Sequence, residues 1–345
     1  MNRGARSPWR LLLILLAVLL VFVVGLFVAS PWPSVLLIRA VFDRGAAQVS
    51  QDLEKHIPTG VVEYLGEVYD VADSDGLLDL YLPPPETLDR NDGSPPLVVW
   101  VHGGGAISGG RADIGNYARV LAGHGFAVAS VDYTVAPEAK YPTPVRQVNA
   151  ALAYLASNAS RLGFAPDRIV LAGDSAGAHI VAQVANLTVS PDYSQLLGIA
   201  PTLKPGQLSA VVLFCGPYIM RSSEIGGLGG AFMYTVLWSY SGKRDFEADP
   251  YFATANVIEH LTNDFPPAFI SAGNADPLLP HSEQLASKLE ALGTSVEPLF
   301  FSVDHQPPLP HEYQFNLDSE AGRLALTEML TFLRKYTQCG LCKLA

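Results

Sequence analysis

A serine hydroxyl attacks a carbonyl carbon only beside a base that takes its proton and a carboxylate that orients the base. Ser175 is the serine whose neighbours fit that chemistry. It sits in Gly173-Asp174-Ser175-Ala176-Gly177, directly after the apolar run Ile169-Val170-Leu171-Ala172 and before a helix-compatible stretch, Ala176 to Val189, ahead of Pro191. A sharp strand-to-helix turn lifts such a side chain out of the backbone, glycines on either side keep the neighbouring segments apart, and the helix N-terminus offers unpaired N–H groups to a developing oxyanion. Upstream, the buried-strand pattern Leu97-Val98-Val99-Trp100-Val101 runs into His102-Gly103-Gly104-Gly105. Successive glycines let backbone amides approach a substrate closely, as the loop half of an oxyanion hole requires. No G-x-x-x-x-G-K-[ST] occurs, which argues against a phosphate-binding loop.

The partners of Ser175 must follow it, because a nucleophile on such a turn is succeeded along the chain by the acid and then the histidine. Phe265 to Gly273 reads as a strand, and Asp276 falls just past its C-terminal end, where open α/β sheets collect their chemistry. After a last strand-like run, Val296 to Phe301, the chain offers His305 and His311, and spacing alone leaves both open. His179, four residues beyond Ser175 on the same helix, reads as packed or surface, directed away from the turn. Asp174 and Glu138 also suit plain structural roles, the first beside the opening N–H groups of the helix and the second as a loop brace after a proline turn.

Between loop and turn lies Asp132-Tyr133-Thr134-Val135-Ala136-Pro137-Glu138, followed by Tyr141-Pro142-Thr143-Pro144. With the His-Gly-Gly-Gly loop and the Gly-Asp-Ser-Ala-Gly turn, this ordered set resembles the hormone-sensitive-lipase-like α/β-hydrolases, a group that includes family IV esterases and arylacetamide deacetylases. The resemblance extends over roughly Val61 to Arg334. It implies Ser175 as nucleophile, Asp276 of the Asp-Pro-Leu segment as acid, and His311 as base, since His311-Glu312-Tyr313 resembles the family's His-Gly-Phe-like segment. It also implies that the amides of Gly104, Gly105 and Ala176 form the oxyanion hole. The implied activity is carboxylic-ester hydrolysis through an acyl-enzyme on small to medium acyl esters. An amidase or deacetylase would use the same triad, and a non-catalytic ligand-binding protein would keep the same scaffold. Ala106 departs from the pattern, since an aromatic residue usually follows the glycines.

The elements that must position these residues read as an α/β-hydrolase fold. Glu63 to Val71 and Leu77 to Leu82 form a hairpin about Asp73-Ser74-Asp75-Gly76, and after Pro83 to Pro96 strand and helix alternate. The pattern runs Leu97–Val101, Asp113–Gly123, Ala127–Asp132, Thr143–Leu162, Ile169–Ala172, Ala176–Val189, Ala210–Cys215, Ala268–Ala272, Ser295–Phe301 and a final helix, Ser319 to Tyr336. Such alternation predicts a mostly parallel sheet with helices on both faces. Pro33 to His56 is amphipathic at helical spacing, and Gly216 to Asn263 is rich in glycine and aromatics, including Phe232, Tyr234, Trp238 and Tyr240. By the resemblance both belong to a helical cap.

Arg3, Arg6 and Arg10 precede an uncharged run, Leu11 to Ala29. As a helix that run extends about 28 Å, close to the roughly 30 Å of a bilayer core. The chain is therefore read as a single-pass signal anchor with its catalytic part extracytoplasmic, secretion after signal cleavage being the alternative. The boundaries are a signal anchor (1–30), a linker and cap helix (31–60), a hydrolase domain (61–338) with a cap insertion at about 216–263, and a tail (339–345). A net charge of -11 and a pI near 5.1 argue against nucleic acid as partner; the partners expected are a small-molecule ester and the membrane. No cofactor and no metal is expected, because no dinucleotide fingerprint follows a strand, H-E-x-x-H is absent, and no His, Cys and Asp cluster has ligand spacing. Cys339 and Cys342 could close a small disulfide loop, leaving Cys215 on a buried strand.

Overall fold

The protein, as a computed structural model, is described for residues 8–88, 93–221 and 227–338. Arg3, Arg6, Cys339 and Cys342 lie outside these residues, as does part of the cap insertion. Eight strands form one sheet: β1 (Val62–Val68), β2 (Leu77–Leu82), β3 (Leu97–Val101), β4 (Ala127–Val131), β5 (Ile169–Asp174), β6 (Leu208–Phe214), β7 (Ala268–Ala272) and β8 (Val296–Phe300), in the order β1-β2-β4-β3-β5-β6-β7-β8. The β1–β2 hairpin is antiparallel, β2 runs antiparallel to β4, and every later pairing is parallel.

The central strands alternate between two cores. Leu97, Val99 and Val101 of β3 join one apolar cluster while Val98 and Trp100 join the other, and all five are 1 % exposed or less. Such two-sided burial is why β3 reads as a continuous apolar run, each fully buried large side chain contributing roughly 1.5 to 3 kcal/mol. One face is covered by α4 (Thr143–Leu162), α5 (Ser175–Val189) and α8 (Leu279–Ala291), the other by α3 (Arg111–Ala122) and α9 (Glu320–Thr337). Two helices have no counterpart in the sequence reading. α8 falls where no helix was expected, and Pro191, read as a helix stop, occupies the first turn of the short α6 (Pro191–Leu197). Both follow one rule: proline is tolerated at the start of a helix, where its missing N–H costs nothing.

At the N-terminus α1 (Pro8–Ala29) is apolar and unburied, and its span Trp9–Ala29 is long and apolar enough to cross a membrane. Ser30 and Pro31 separate it from α2 (Trp32–Leu53). Arg39 ties α2 to the sheet's C-terminal edge: its guanidinium donates to both Glu138 carboxylate oxygens (2.7 and 2.6 Å) and to the carbonyls of Ile107 and Ala136. Glu138 is thus a loop brace. Asn116 of α3 donates to the Ser50 carbonyl further along α2 (2.7 Å). These bonds lay α2 across the mouth of the site, where α7 (Gly227–Ser241) from the aromatic insertion also packs.

Candidate active site

Ser175 is the first residue of α5 and follows the last residue of β5, with φ +49°. A non-glycine residue in that left-handed region costs on the order of 1 to 3 kcal/mol, which the surrounding structure must hold. The clamp is local. A Cβ at Gly177 would collide with the carbonyls of Val101 and His102, so only glycine lets α5 press against the end of β3. All of α5 up to Thr188 is buried, which explains the run of small residues after Ser175.

His311 reaches Ser175 from the loop between β8 and α9, its Nε2 3.0 Å from Oγ. The other ring nitrogen, Nδ1, lies 2.9 Å from Asp276 Oδ2, and Asp276 Oδ1 accepts from the Leu278 N–H at 2.8 Å. Burial alone would raise the Asp276 carboxyl, but the hydrogen bond and charge of His311, with the Leu278 amide, hold it below the usual carboxylate range. For His311 burial works downward; the Asp276 bond, Cys215 and the Glu312 charge outweigh it and hold the imidazole well above its ordinary value. His305 is elsewhere, its ring against Phe301 (4.6 Å between centroids), outside the cavity wall. Of the two histidines that spacing left open, the structure brings only His311 to Ser175.

The glycine loop follows β3 and curls over the serine. Gly104 and Gly105 have φ +95° and +63°, and a Cβ on Gly104 would strike the Ser108 carbonyl. Among the described residues neither amide donates to another group, and Ala176 N–H is an opening helix donor with no intrahelical acceptor. All three residues line the cavity with Ser175.

That cavity has a volume of about 520 Å³. Its walls come from both cores: Ala106, Met220, Met233, Val236 and Leu237 on one side, and Leu53, Ile114, Tyr117 and Phe315 on the other. A Cβ at Gly105 would face Val236 and Phe232 of α7, and Phe232 lies 5.7 Å from Phe42 of α2. The insertion thus brings an aromatic residue to the wall beside the glycine loop.

Two sequence expectations need correction, and one cluster lies beyond what spacing could show. His179 is buried and does line the cavity; its Nε2 is 2.8 Å from the Ala255 carbonyl, and burial pulls it down to about 4, so it is a neutral wall residue. Asp174 does not cap α5. Its carboxylate turns the other way, accepting from Trp100 Nε1 at 2.7 Å, because the sharp turn at Ser175 aims it under the glycine loop. Finally, Cys215, Asp276 and His311 do gather, with ligand-type atoms within 4.8 Å of one another, though residues so far apart in the chain carry no spacing signal. Their bonding fits a triad better than a metal: His311 and Asp276 are committed to each other, and burial pushes the Cys215 thiol up to about 11, far from the thiolate a metal needs.

Two polar groups in the wall escaped sequence reasoning. Glu312 stands where the resemblance places glycine and takes the glycine-like φ of +58°, with its Oε1 3.6 Å from His311 Nε2. An acidic residue directly after His311 was the available signal. Tyr117, on α3, had none, because its position reads as ordinary helix core.

A family model described as BD-FAE matches residues 78–289, well over half of the chain and including the glycine loop, Ser175 and Asp276. The chain belongs to the BD-FAE family. Like other hormone-sensitive-lipase-like α/β-hydrolases, this BD-FAE member carries the ordered motifs on a mostly parallel sheet. It is 33% identical over 223 residues to carboxylesterase NlhH of Mycobacterium tuberculosis, a match covering 63% of this chain and 66% of that protein. To the acetyl esterase of Salmonella schwarzengrund it is 29% identical over 209 residues, 57% of this chain and 60% of that one. These matches span just under two thirds of each relative's length. Among solved structures, esterase B from Lactobacillus Rhamnosis (HN001) superposes with a TM-score of 0.71 at 25% identity, covering 88% of this chain and 96% of that one. The same esterase inhibited by a tributyrin phosphonate gives 0.73 at 24% identity, a likeness of fold.

Proposed function

We propose that this protein is a serine carboxylic-ester hydrolase, held at a membrane by α1, that cleaves small to medium acyl esters through an acyl-enzyme. The observation that carries this reading is the Ser175 Oγ–His311 Nε2 contact of 3.0 Å, with Asp276 on the far ring nitrogen. His311 takes the Ser175 proton as Oγ bonds to the ester carbon. Gly104, Gly105 and Ala176 amides receive the oxyanion, and Asp276 steadies the imidazolium. Collapse of the tetrahedral species breaks the carbon–oxygen bond to the alcohol, which takes the proton from Nε2. Water then enters by the same route: His311 accepts its proton, the carboxylic acid departs, and Oγ regains hydrogen.

An apolar cavity of about 520 Å³ fits such substrates, since it buries most of a small acyl and alcohol pair and excludes water. The names of the relatives agree in chemistry. NlhH is a carboxylesterase, and the Salmonella protein an acetyl esterase. With Arg10 at the start of α1 and Arg3 and Arg6 before it, the basic end stays in the cytoplasm and the hydrolase domain faces the other side.

A fluorophosphonate probe on the full chain in non-ionic detergent tests the assignment. Labelling is expected in the wild type and lost in Ser175→Ala, with hydrolysis of p-nitrophenyl esters lost in parallel. Labelling that persists undiminished in the variant refutes the nucleophile.

A further inference from the structure

The first three turns of α2 carry an apolar face that the described residues leave uncovered. Trp32, Leu36, Leu37 and Val41 are 39, 56, 62 and 64 % exposed. The inner side of the same helix fixes that orientation: Val35 is fully buried, Ile38 packs on the first core, and Arg39 is bonded to Glu138 and to the Ala136 carbonyl. The helix cannot roll to hide its leucines without breaking those contacts. Arg39 is also the one charged residue between Trp32 and Val41, and it faces inward, so the outer face is uncharged over about 14 Å of helix. Contiguous exposed apolar surface of this kind marks an interaction site.

Two observations identify what covers it. The first is continuity with α1, whose span is long and apolar enough to cross a membrane. Only Ser30 and Pro31 separate the two helices, and the link is compact, with the Ser30 N–H bonded to the Leu26 carbonyl (3.1 Å) and the Val35 N–H to the Pro31 carbonyl (3.0 Å). Trp32 therefore follows the span by about one helical turn, at the depth where tryptophan collects in membranes, and its ring carries the Arg39 guanidinium at 5.7 Å. The second is the cavity. The lining residues that meet solvent include Val41, Gly45 and Val49 of α2 and Gly229 of α7, which set its mouth between those helices. α7 carries no charged residue from Gly227 to Ser241, and the one acid that α2 adds to the lining, Asp43, accepts from Ser108 Oγ at 2.9 Å. Val41 belongs to both surfaces, since it lines the cavity and continues the outer face.

We propose that the outer face of α2 lies in the bilayer interface and that the mouth between α2 and α7 opens to lipid, so that Ser175 is served with apolar esters drawn from the membrane. The inference rests on the esterase and anchor readings and names the substrate class within them: esters resident in the bilayer, with a short acyl group at Ser175 and an apolar alcohol trailing back through the mouth. Val41 is nine residues beyond Trp32, at most about 14 Å from it with α2 upright. Burial of Leu36, Leu37 and Val41 draws the helix down instead, roughly 5 to 10 Å into the boundary of headgroups and acyl chains, where the mouth meets lipid directly.

Two measurements test this on the full chain in phosphatidylcholine nanodiscs. In the first, a nitroxide is placed on Leu37→Cys or, within α1, on Val18→Cys, with Cys339 and Cys342 replaced by serine and the buried Cys215 left in place. Each label is expected to collide more with oxygen, which concentrates in lipid, than with a water-soluble nickel chelate. A Val18 label in lipid with the Leu37 label in water overturns the proposal, as does a Leu37 label shielded from both reagents, the mark of a second protein copy on this face. Both labels in water overturn the anchor reading, and the proposal with it. In the second measurement, kcat/KM is compared for hexadecyl butyrate, which stays in the bilayer, and water-soluble p-nitrophenyl acetate. Leu36→Glu combined with Leu37→Glu changes two residues outside the cavity lining and is expected to lower the ratio of the first ester to the second on the order of tenfold. Because the ratio compares two esters on one preparation, differences in incorporation cancel. An unchanged ratio overturns the lipid route. Absence of turnover of both esters by the wild type, with the Leu37 label in lipid, overturns the esterase reading and leaves the docking of α2 standing.

Discussion

Replacing Glu312 by glutamine is expected to move the acid limb of the pH–rate profile downward by about one unit. The groups facing His311 are Asp276, Ser175, Cys215 and Glu312, and Glu312 acts through charge at 3.6 Å from Nε2. Coulomb's law at that distance, with an effective dielectric of 40 to 80 because a third of each side chain meets solvent, gives about 1 to 2 kcal/mol. The sign follows from the role of the ring: Glu312 favours the imidazolium, so its charge raises the pH below which His311 is protonated and unable to accept the serine proton. Without it the base stays neutral to lower pH. The same charge supports the imidazolium formed as Ser175 attacks, so the alkaline plateau of kcat/KM should fall by up to about tenfold. The assay is kcat/KM for a neutral p-nitrophenyl ester from pH 4 to 9, where the limb reports the free enzyme. A limb that stays in place, or moves to higher pH, refutes the electrostatic reasoning.

Further outcomes follow from the same geometry. Gly104→Ala places a Cβ against the Ser108 carbonyl and strains a φ of +95°, so the loop must shift: kcat should fall on the order of 10²- to 10³-fold and the thermal unfolding midpoint should drop as well, read by steady-state kinetics and calorimetry. Asp276→Asn keeps the shape of the acid but loses the charge and the tautomer it enforces; kcat should drop by about 10⁴. Residual activity within tenfold of wild type would contradict the triad. Deleting residues 1–30 should shift the protein from the membrane pellet to the supernatant, read by ultracentrifugation and immunoblot, while the hydrolase fold persists, because α1 is unburied.

The candidate nucleophile, glycine loop and candidate acid were legible because each is a local device. A strained turn needs glycine beside it, an oxyanion loop needs successive glycines, and an acid past a strand end needs only its strand. Strands β2, β3 and β7 and helix α4 were equally readable, since burial on both faces of the sheet or a long amphipathic period marks them within a few residues. The choice between His305 and His311 was of another kind. Both sit in one polar, proline-rich loop, and only the path of that loop over β7 decides which ring meets Ser175: the Ala275 amide donates to the Leu309 carbonyl, and Leu309 N–H to Asn274 Oδ1.

The residue types and their order thus determined the kind of chemistry proposed, because attack on a carbonyl needs particular atoms on particular turns. Tertiary structure decided what surrounds that chemistry. It turned Asp174 from its helix toward Trp100, set His179 and Tyr117 into the wall, and brought Phe232 of the insertion beside Gly105. Those contacts join residues far apart in the chain, and their energies depend on distance and burial, which no local pattern encodes.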